Sequence, residues 1–181
     1  MNDRDYGDLE RDGARHVLRF TRRFAHPREK VWRALTEPEH MAAWFPDEMH
    51  GDRVAGATLR FVDRSVAAVA FDGEMLVFDP PSVMEMRWGE DVLRFELHED
   101  GDATRLVFTD TLSERGKAAR DGAGWHVCLA SLTREVDGAH EPASHGDEWR
   151  AVHDAYVARL GPDASTIGVP PEFERVHGAT S

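Results

Sequence analysis

Between residues 57 and 111 the chain is written almost entirely in period two, and soon afterwards it changes to period 3.6. Ala57 to Asp63 alternates, with Leu59 and Phe61 on one side. Val66 to Phe78 is long and apolar, and Gly73 within it marks a bend or bulge. Val83 to Trp88 puts Met84, Met86 and Trp88 in one phase, and Val92 to His98 sets Leu93, Phe95 and Leu97 opposite Arg94 and Glu96. Thr104 to Thr111 carries Leu106 and Phe108 inward, with Asp110 in the same phase. Such alternation is the mark of strands with one buried face. Asp79-Pro80-Pro81-Ser82, Gly89-Glu90-Asp91 and Glu99-Asp100-Gly101-Asp102 supply the turns between them. Antiparallel strands in series, polar on one face, need an apolar layer against the other. The next segment provides it: Trp125, Cys128, Leu129, Leu132 and Val136 form one helical stripe, which Gly138 ends.

Ahead of this block, Asp12-Gly13 is a type I′ hairpin signal, and His16 to Phe24 alternates as a long strand. Pro27 to Leu35 reads as a short helix with Val31, Trp32 and Leu35 on its inner side. Thr36-Glu37-Pro38-Glu39 reads as a capping box with Thr36 as the cap, opening a second short helix through Met41, Trp44 and Phe45 until Pro46 stops it. After the long helix, a linker leads to a last helix with Trp149, Val152, His153, Tyr156 and Leu160 in register, closed by Gly161-Pro162. The expected organisation is a flexible N-terminus over 1–8, one domain over 9–138, a linker and appended helix over 139–161, and a flexible tail over 162–181. The class is α+β, with helices segregated from the sheet.

A chain of 181 residues, 41% of them hydrophobic, is long enough for one self-sufficient core. Its net charge of −12 argues against nucleic acid or an anionic membrane as a partner, because both require a basic field. The single cysteine, Cys128, excludes an internal disulfide and a thiolate zinc site. The first residues have no apolar stretch of the kind a signal peptide needs, and no window approaches 18 apolar residues. A cytoplasmic protein is the expectation.

Several segments together resemble a known family. They are Pro27-Arg28-Glu29-Lys30-Val31-Trp32-Arg33-Ala34-Leu35-Thr36, then Pro38-Glu39-His40 through Trp44-Phe45, then Gly73-Glu74 with Asp79-Pro80-Pro81, and finally Gly124-Trp125-His126 through Leu129 and Leu132. Their order resembles the START-like (SRPBCC) superfamily, and within it the group of the C-terminal domain of the heat-shock chaperone ATPase activator. The resemblance covers roughly residues 14 to 138. It implies the helix-grip fold: a curved antiparallel sheet wrapped around a long C-terminal helix, here with an appended helix. It also implies a cavity for an apolar or amphipathic small molecule between sheet and helix. Polyketide cyclases and aromatases among the relatives make an enzyme the alternative, and a chaperone co-factor or other interaction module the second alternative.

The candidate ligand-binding residues are Trp44, Phe45, Phe61, Met84, Met86, Trp88, Phe95, Phe108, Trp125, His126 and Leu129, with Leu59, Leu93 and Leu106 on the same inward faces. The competing reading of every one of them is plain core packing. Asp110 and His126 are weak catalytic candidates, because a carboxyl and an imidazole in an apolar cavity could act as acid and base. Glu74 is a further inward possibility. Cys128 falls in the apolar stripe and reads as inert core, and Ser131 has no visible base. His140, Glu141 and His145 have the wrong spacing for the zinc-protease pattern, and Pro142 breaks the helix it needs, so no metal and no cofactor is expected. Gly122-Ala123-Gly124 lacks the rest of a dinucleotide fingerprint and reads as hinge and close-packing positions. The last helix could support a homodimer or pack on its own domain.

Overall fold

The computed structural model describes residues 5–139 and 146–169. Eight strands form one antiparallel sheet: β1 (Asp8–Asp12), β2 (Arg15–Phe24), β3 (Asp47–His50), β4 (Thr58–Asp63), β5 (Ala70–Asp79), β6 (Val83–Trp88), β7 (Asp91–Asp100) and β8 (Ala103–Leu112). Their order across the sheet is β1-β2-β8-β7-β6-β5-β4-β3. Among the described residues four α-helices accompany it: α1 (Arg28–Thr36), α2 (Pro38–Met41), α3 (Ala118–Asp137) and α4 (Gly146–Leu160). The result is the α+β helix-grip architecture, a curved open sheet against a long C-terminal helix. No described helix is long and apolar enough to cross a membrane.

Local chemistry explains most element boundaries. Gly13 takes φ 58° in the tight β1–β2 turn, where any side chain would be strained. The turn between β5 and β6 holds Pro80 and Pro81, joined by a cis bond, where neither interrupts a ladder. Gly138 at φ 83° ends α3, and its N–H returns to carbonyls of the last turn. The expected capping box does not form. Thr36 is still helical, and its hydroxyl donates to the Trp32 carbonyl at 2.8 Å. Glu37 caps α2 with an extended backbone and no side-chain bond, as the residue before a proline is biased to do. Helix α2 then ends at Met41, so Trp44 and Phe45 lie beyond it.

Two strand details also differ from the sequence reading. The irregularity in β5 lies between Met75 and Val77, whereas Gly73 pairs regularly with Leu59 and Trp88. Gly73 is required by proximity: a Cβ there would overlap the Arg87 carbonyl oxygen and come within 2.5 Å of the Phe61 ring. Strand β3 has no apolar alternation, and its pairing to β4 is what defines it.

The core lies between the sheet's concave face and α3, closed at one end by α1 and α2. Leu59, Phe61, Met84, Met86, Leu93, Phe95, Leu106, Phe108 and Leu129 are all fully buried there. Helix α4 packs on α3 through Val152 and Tyr156, also fully buried. Gly122, inside α3, makes room for the Tyr156 ring, since a Cβ would meet it at 2.9 Å. Of the segment expected as a tail, residues through 169 are described. Ala164 is buried, and the Ile167 N–H reaches the Gly116 carbonyl at 3.0 Å. At the other end, the Gly7 N–H donates to the Tyr156 hydroxyl at 2.7 Å.

Candidate functional site

The inward aromatic residues form one continuous wall. Phe108 stacks on Phe95 at 4.5 Å between centroids and meets Trp125 edge-on at 4.9 Å. Trp125 also contacts Phe45 at 5.9 Å and Trp88 at 5.5 Å, and Trp88 continues to Phe71 at 5.4 Å. Trp88 and Phe71 are only partly buried, so the wall reaches the surface on their side. Trp44 packs on Phe95 from the opposite end, with its indole N–H on the Ala34 carbonyl at 2.8 Å. That bond anchors Trp44 to the end of α1 and makes it core rather than rim. Met84, Met86 and Leu129 complete the buried set.

Two carboxyl groups enter this apolar layer, each held by an indole. Trp125 Nε1 donates to Asp110 Oδ2 at 2.8 Å, and Trp88 Nε1 donates to Asp47 Oδ2 at 2.6 Å. Asp110 lies on β8 in phase with Leu106 and Phe108, as its spacing predicts, and has no solvent exposure. Burial, then Asp121 and Asp91, push its carboxyl well above the usual range, against the Trp125 bond and Lys117. Its other oxygen, Oδ1, has no partner. Asp47 opens β3 and is 2% exposed. Burial raises its carboxyl to about 6, with the Trp88 bond opposing that rise and Asp63 adding to it.

Asp110 belongs to a wider group. One carboxylate oxygen each from Asp91, Asp110 and Asp121 lies within 4.8 Å of the others. Asp91 Oδ2 meets Lys117 Nζ at 2.5 Å, and Asp91 Oδ1 accepts the Ser113 N–H at 2.7 Å. Asp121 Oδ1 accepts from Arg120 Nε at 2.6 Å, while Asp121 Oδ2 has no partner. Lys117, Asp121 and Trp125 follow one another at four-residue intervals, which lays one helix row over Asp91 and Asp110. That row is visible in the sequence, although only Trp125 stands out on apolar pattern. Asp47 gives no such signal, because its short strand is polar.

The other sequence candidates sit elsewhere. His126 follows Trp125 on α3 and so turns away from Asp110. Its ring faces Tyr6 at 4.9 Å and Tyr156 at 6.3 Å, and burial with nearby Arg22 lowers its basicity. The structure therefore does not assemble Asp110 and His126 as a pair. Glu74 points outward and lies 3.8 Å from Arg87 Nη2. Cys128 is buried, and its thiol is pushed up to about 12, which makes it a poor nucleophile. Ser131 Oγ accepts from Arg134 Nη2 at 2.9 Å. Gly122 and Gly124 lie inside α3 rather than ahead of it, with Gly122 packed against Tyr156 and Gly124 facing open space. His140, Glu141 and His145 are outside the described residues. A separate groove of ≈ 240 Å³ lies at the ends of β2 and β8, lined by Ala14, Arg15, His16, Glu90, Thr111, Leu112 and Ser113. It shares no residue with the aromatic wall.

A curved antiparallel sheet gripping one long helix, with an aromatic layer between them, defines a START-like (SRPBCC) helix-grip protein. The family model for activator of Hsp90 ATPase homolog 1-like protein matches residues 25–137, and the chain belongs to that family. A comparison with curated proteins gave no match. Among solved structures, the chain is similar to EF2215 from Enterococcus faecalis, a conserved protein of unknown function. The TM-score is 0.72 at 20% identity, covering 85% of this chain and 90% of that one. It is similar to CalU16 from Micromonospora echinospora with TM-score 0.65 at 22% identity, covering 84% and 95%. DynU16, described as a putative protein in the dynemicin biosynthetic locus, matches with TM-score 0.61 at 24% identity, covering 68% of this chain and 48% of that one. These likenesses show the fold.

Proposed function

We propose that this protein binds an apolar or amphipathic small molecule against the aromatic wall between the sheet and α3. The observation that carries the reading is Asp110: a carboxyl with no exposure, paired across the sheet with Leu18 and Leu93 and bonded to Trp125, with one oxygen unpartnered. Buried polar atoms are almost always paired, so an orphan inside an apolar layer asks for a group from outside the chain. The wall supplies the driving force, about 25 cal/mol per Å² of apolar surface buried. Because the rings rest on one another, the molecule enters by parting them, from the side where Trp88 and Phe71 are partly exposed. The occurrence of DynU16 in the dynemicin biosynthetic locus supports a biosynthetic small molecule as the ligand class.

A second reading, chemistry on the bound molecule, is favoured by the two carboxyls that reach the layer, Asp110 and Asp47. The test of binding is native mass spectrometry of freshly purified protein, followed by mild unfolding and organic extraction. A co-purifying species of a few hundred daltons, released on unfolding, is the expected result. Empty protein whose tryptophan emission also ignores naphthalene-sized probes would overturn the reading.

A further inference from the structure

Three carboxyl groups, Asp91, Asp110 and Asp121, meet beneath the start of α3, and two cations serve them. Lys117 is on Asp91, and Arg120 is on Asp121. Asp110 has only an indole N–H, on Oδ2. Three negative charges against two positive ones, around an Asp110 that has no solvent exposure, leave one charge unbalanced. A proton removes it, and like charges this close cannot all ionise without a large penalty. The proton belongs on Asp110, the most buried of the three and the one without a cationic partner. A neutral carboxyl has one O–H donor. Oδ2 is already an acceptor for Trp125, so the donor is Oδ1, the atom with no partner.

We propose that Asp110 is a neutral carboxylic acid whose Oδ1–H donates a hydrogen bond to a carbonyl or phenolate oxygen of the bound molecule, with Asp121 and Asp91 as the positioning residues that keep it neutral. This rests on the binding site proposed above and names the chemistry of its ligand. An acceptor oxygen beside an aromatic or aliphatic body fits both the donor and the rings around it. A molecule offering only donors, or a cation, does not. Burial raises the cost of leaving the O–H unpaired, so the site selects for the acceptor more strongly than an exposed hydroxyl could.

The experiment compares 2-acetylnaphthalene with 2-ethylnaphthalene, nearly equal in shape but differing in the carbonyl. Binding is followed by tryptophan emission in the whole protein, together with infrared spectra of the carboxyl groups at pH 7. The acetyl compound is expected to bind about three- to tenfold tighter, the worth of one neutral hydrogen bond. Asp110→Asn keeps a donor and retains most of the preference, whereas Asp110→Leu loses it. A protonated-carboxyl band at pH 7 is expected in the wild type, absent in Asp110→Asn, and titrating at lower pH in Asp121→Asn. Equal binding of the two probes overturns this inference and leaves the binding site standing, while binding of neither to protein stripped of any co-purified ligand overturns both. An ionised Asp110 at pH 7 overturns it without any ligand or any need for the leucine variant to fold. So does a Mn²⁺-induced rise in Tm that Asp110→Asn abolishes, since the cluster would then hold a cation.

Discussion

Trp125 and Asp110 join the long helix to the sheet through one buried hydrogen bond of 2.8 Å, indole N–H to carboxyl oxygen. The indole also packs on Phe108, two residues before Asp110 on the same face of β8. One side chain of α3 thus reads two successive inward positions of one strand. Apolar contacts alone would permit the helix to slide or turn over the sheet, whereas a buried polar pair has a single satisfied position.

Trp125→Phe keeps most of the ring contacts and removes the donor. Asp110 Oδ2 is then unpaired in an apolar layer, and the variant is expected to lose about 1–3 kcal/mol of stability. Adding Asp110→Leu removes the orphan, so the double variant should recover part of the loss. Urea unfolding of the four proteins in the cycle measures this. Strict additivity of the two single changes would show that the pair is not coupled.

Asp47 makes a pH signature that can be separated from the rest. Burial raises its folded carboxyl from 3.8 to about 6. Between these values the folded state holds a proton that the unfolded state has released, so stability falls as pH rises. Its contribution is complete below pH 4 and lost above pH 6, and the span corresponds to ~3 kcal/mol. Asp47→Asn keeps an acceptor for Trp88 and has no charge to bury. Relative to wild type it should therefore gain stability from pH 4 to pH 7. A wild-type minus Asn difference that is flat over that range would show that Asp47 does not titrate there.

The sheet and α3 are legible in the sequence because alternation and a 3.6 stripe each depend on many residues, so single exceptions do not hide them. Leu93, Phe95 and Leu97 on β7 and Leu106, Phe108 and Asp110 on β8 face the core as their phase dictates. The polar part of the site is less legible. Asp47 sits on a four-residue strand held by pairing with β4, which no local pattern announces. Asp91 and Asp121 look like ordinary turn and helix-start acids, and only the fold brings them to Asp110. His126 misleads for a related reason: it neighbours Trp125 in sequence, but a step of one residue turns a helix by about 100°. Thr36 carries every local mark of a cap and is overruled by continuation of α1 and by the proline after Glu37.

Helix α4 is held by a close approach that one atom can disturb. Gly122 lies against the Tyr156 ring, and the Tyr156 hydroxyl accepts the Gly7 N–H, so helix and N-terminal segment share one anchor. Gly122→Val would drive a branched side chain into that ring. Limited proteolysis should then cut near α4 well before the sheet domain, while far-ultraviolet circular dichroism retains the strand signal. Tyr156→Phe, which keeps the ring and loses the bond to Gly7, should cost only about 0.5–1.5 kcal/mol. Equal protease resistance of Gly122→Val and wild type would show that α4 is not held by this contact.

Glycine-to-alanine changes should have opposite signs at two positions. At Gly73 the backbone is not in the left-handed region, so an alanine would suffer no conformational strain, only collision. Its Cβ would meet the Arg87 carbonyl oxygen on β6 and the Phe61 ring on β4. Neither can yield easily, because one is ladder backbone and the other is fully buried and stacked on Phe71. Gly73→Ala is expected to cost about 1–3 kcal/mol. Gly124 lies inside α3, and its added Cβ would face open space. Gly124→Ala therefore gains helix propensity without a clash, about 0.5–1 kcal/mol. Thermal unfolding of the two variants separates steric need from conformational preference, and a stabilising Gly73→Ala would contradict the close β4–β5–β6 packing that shapes the wall beside Trp88.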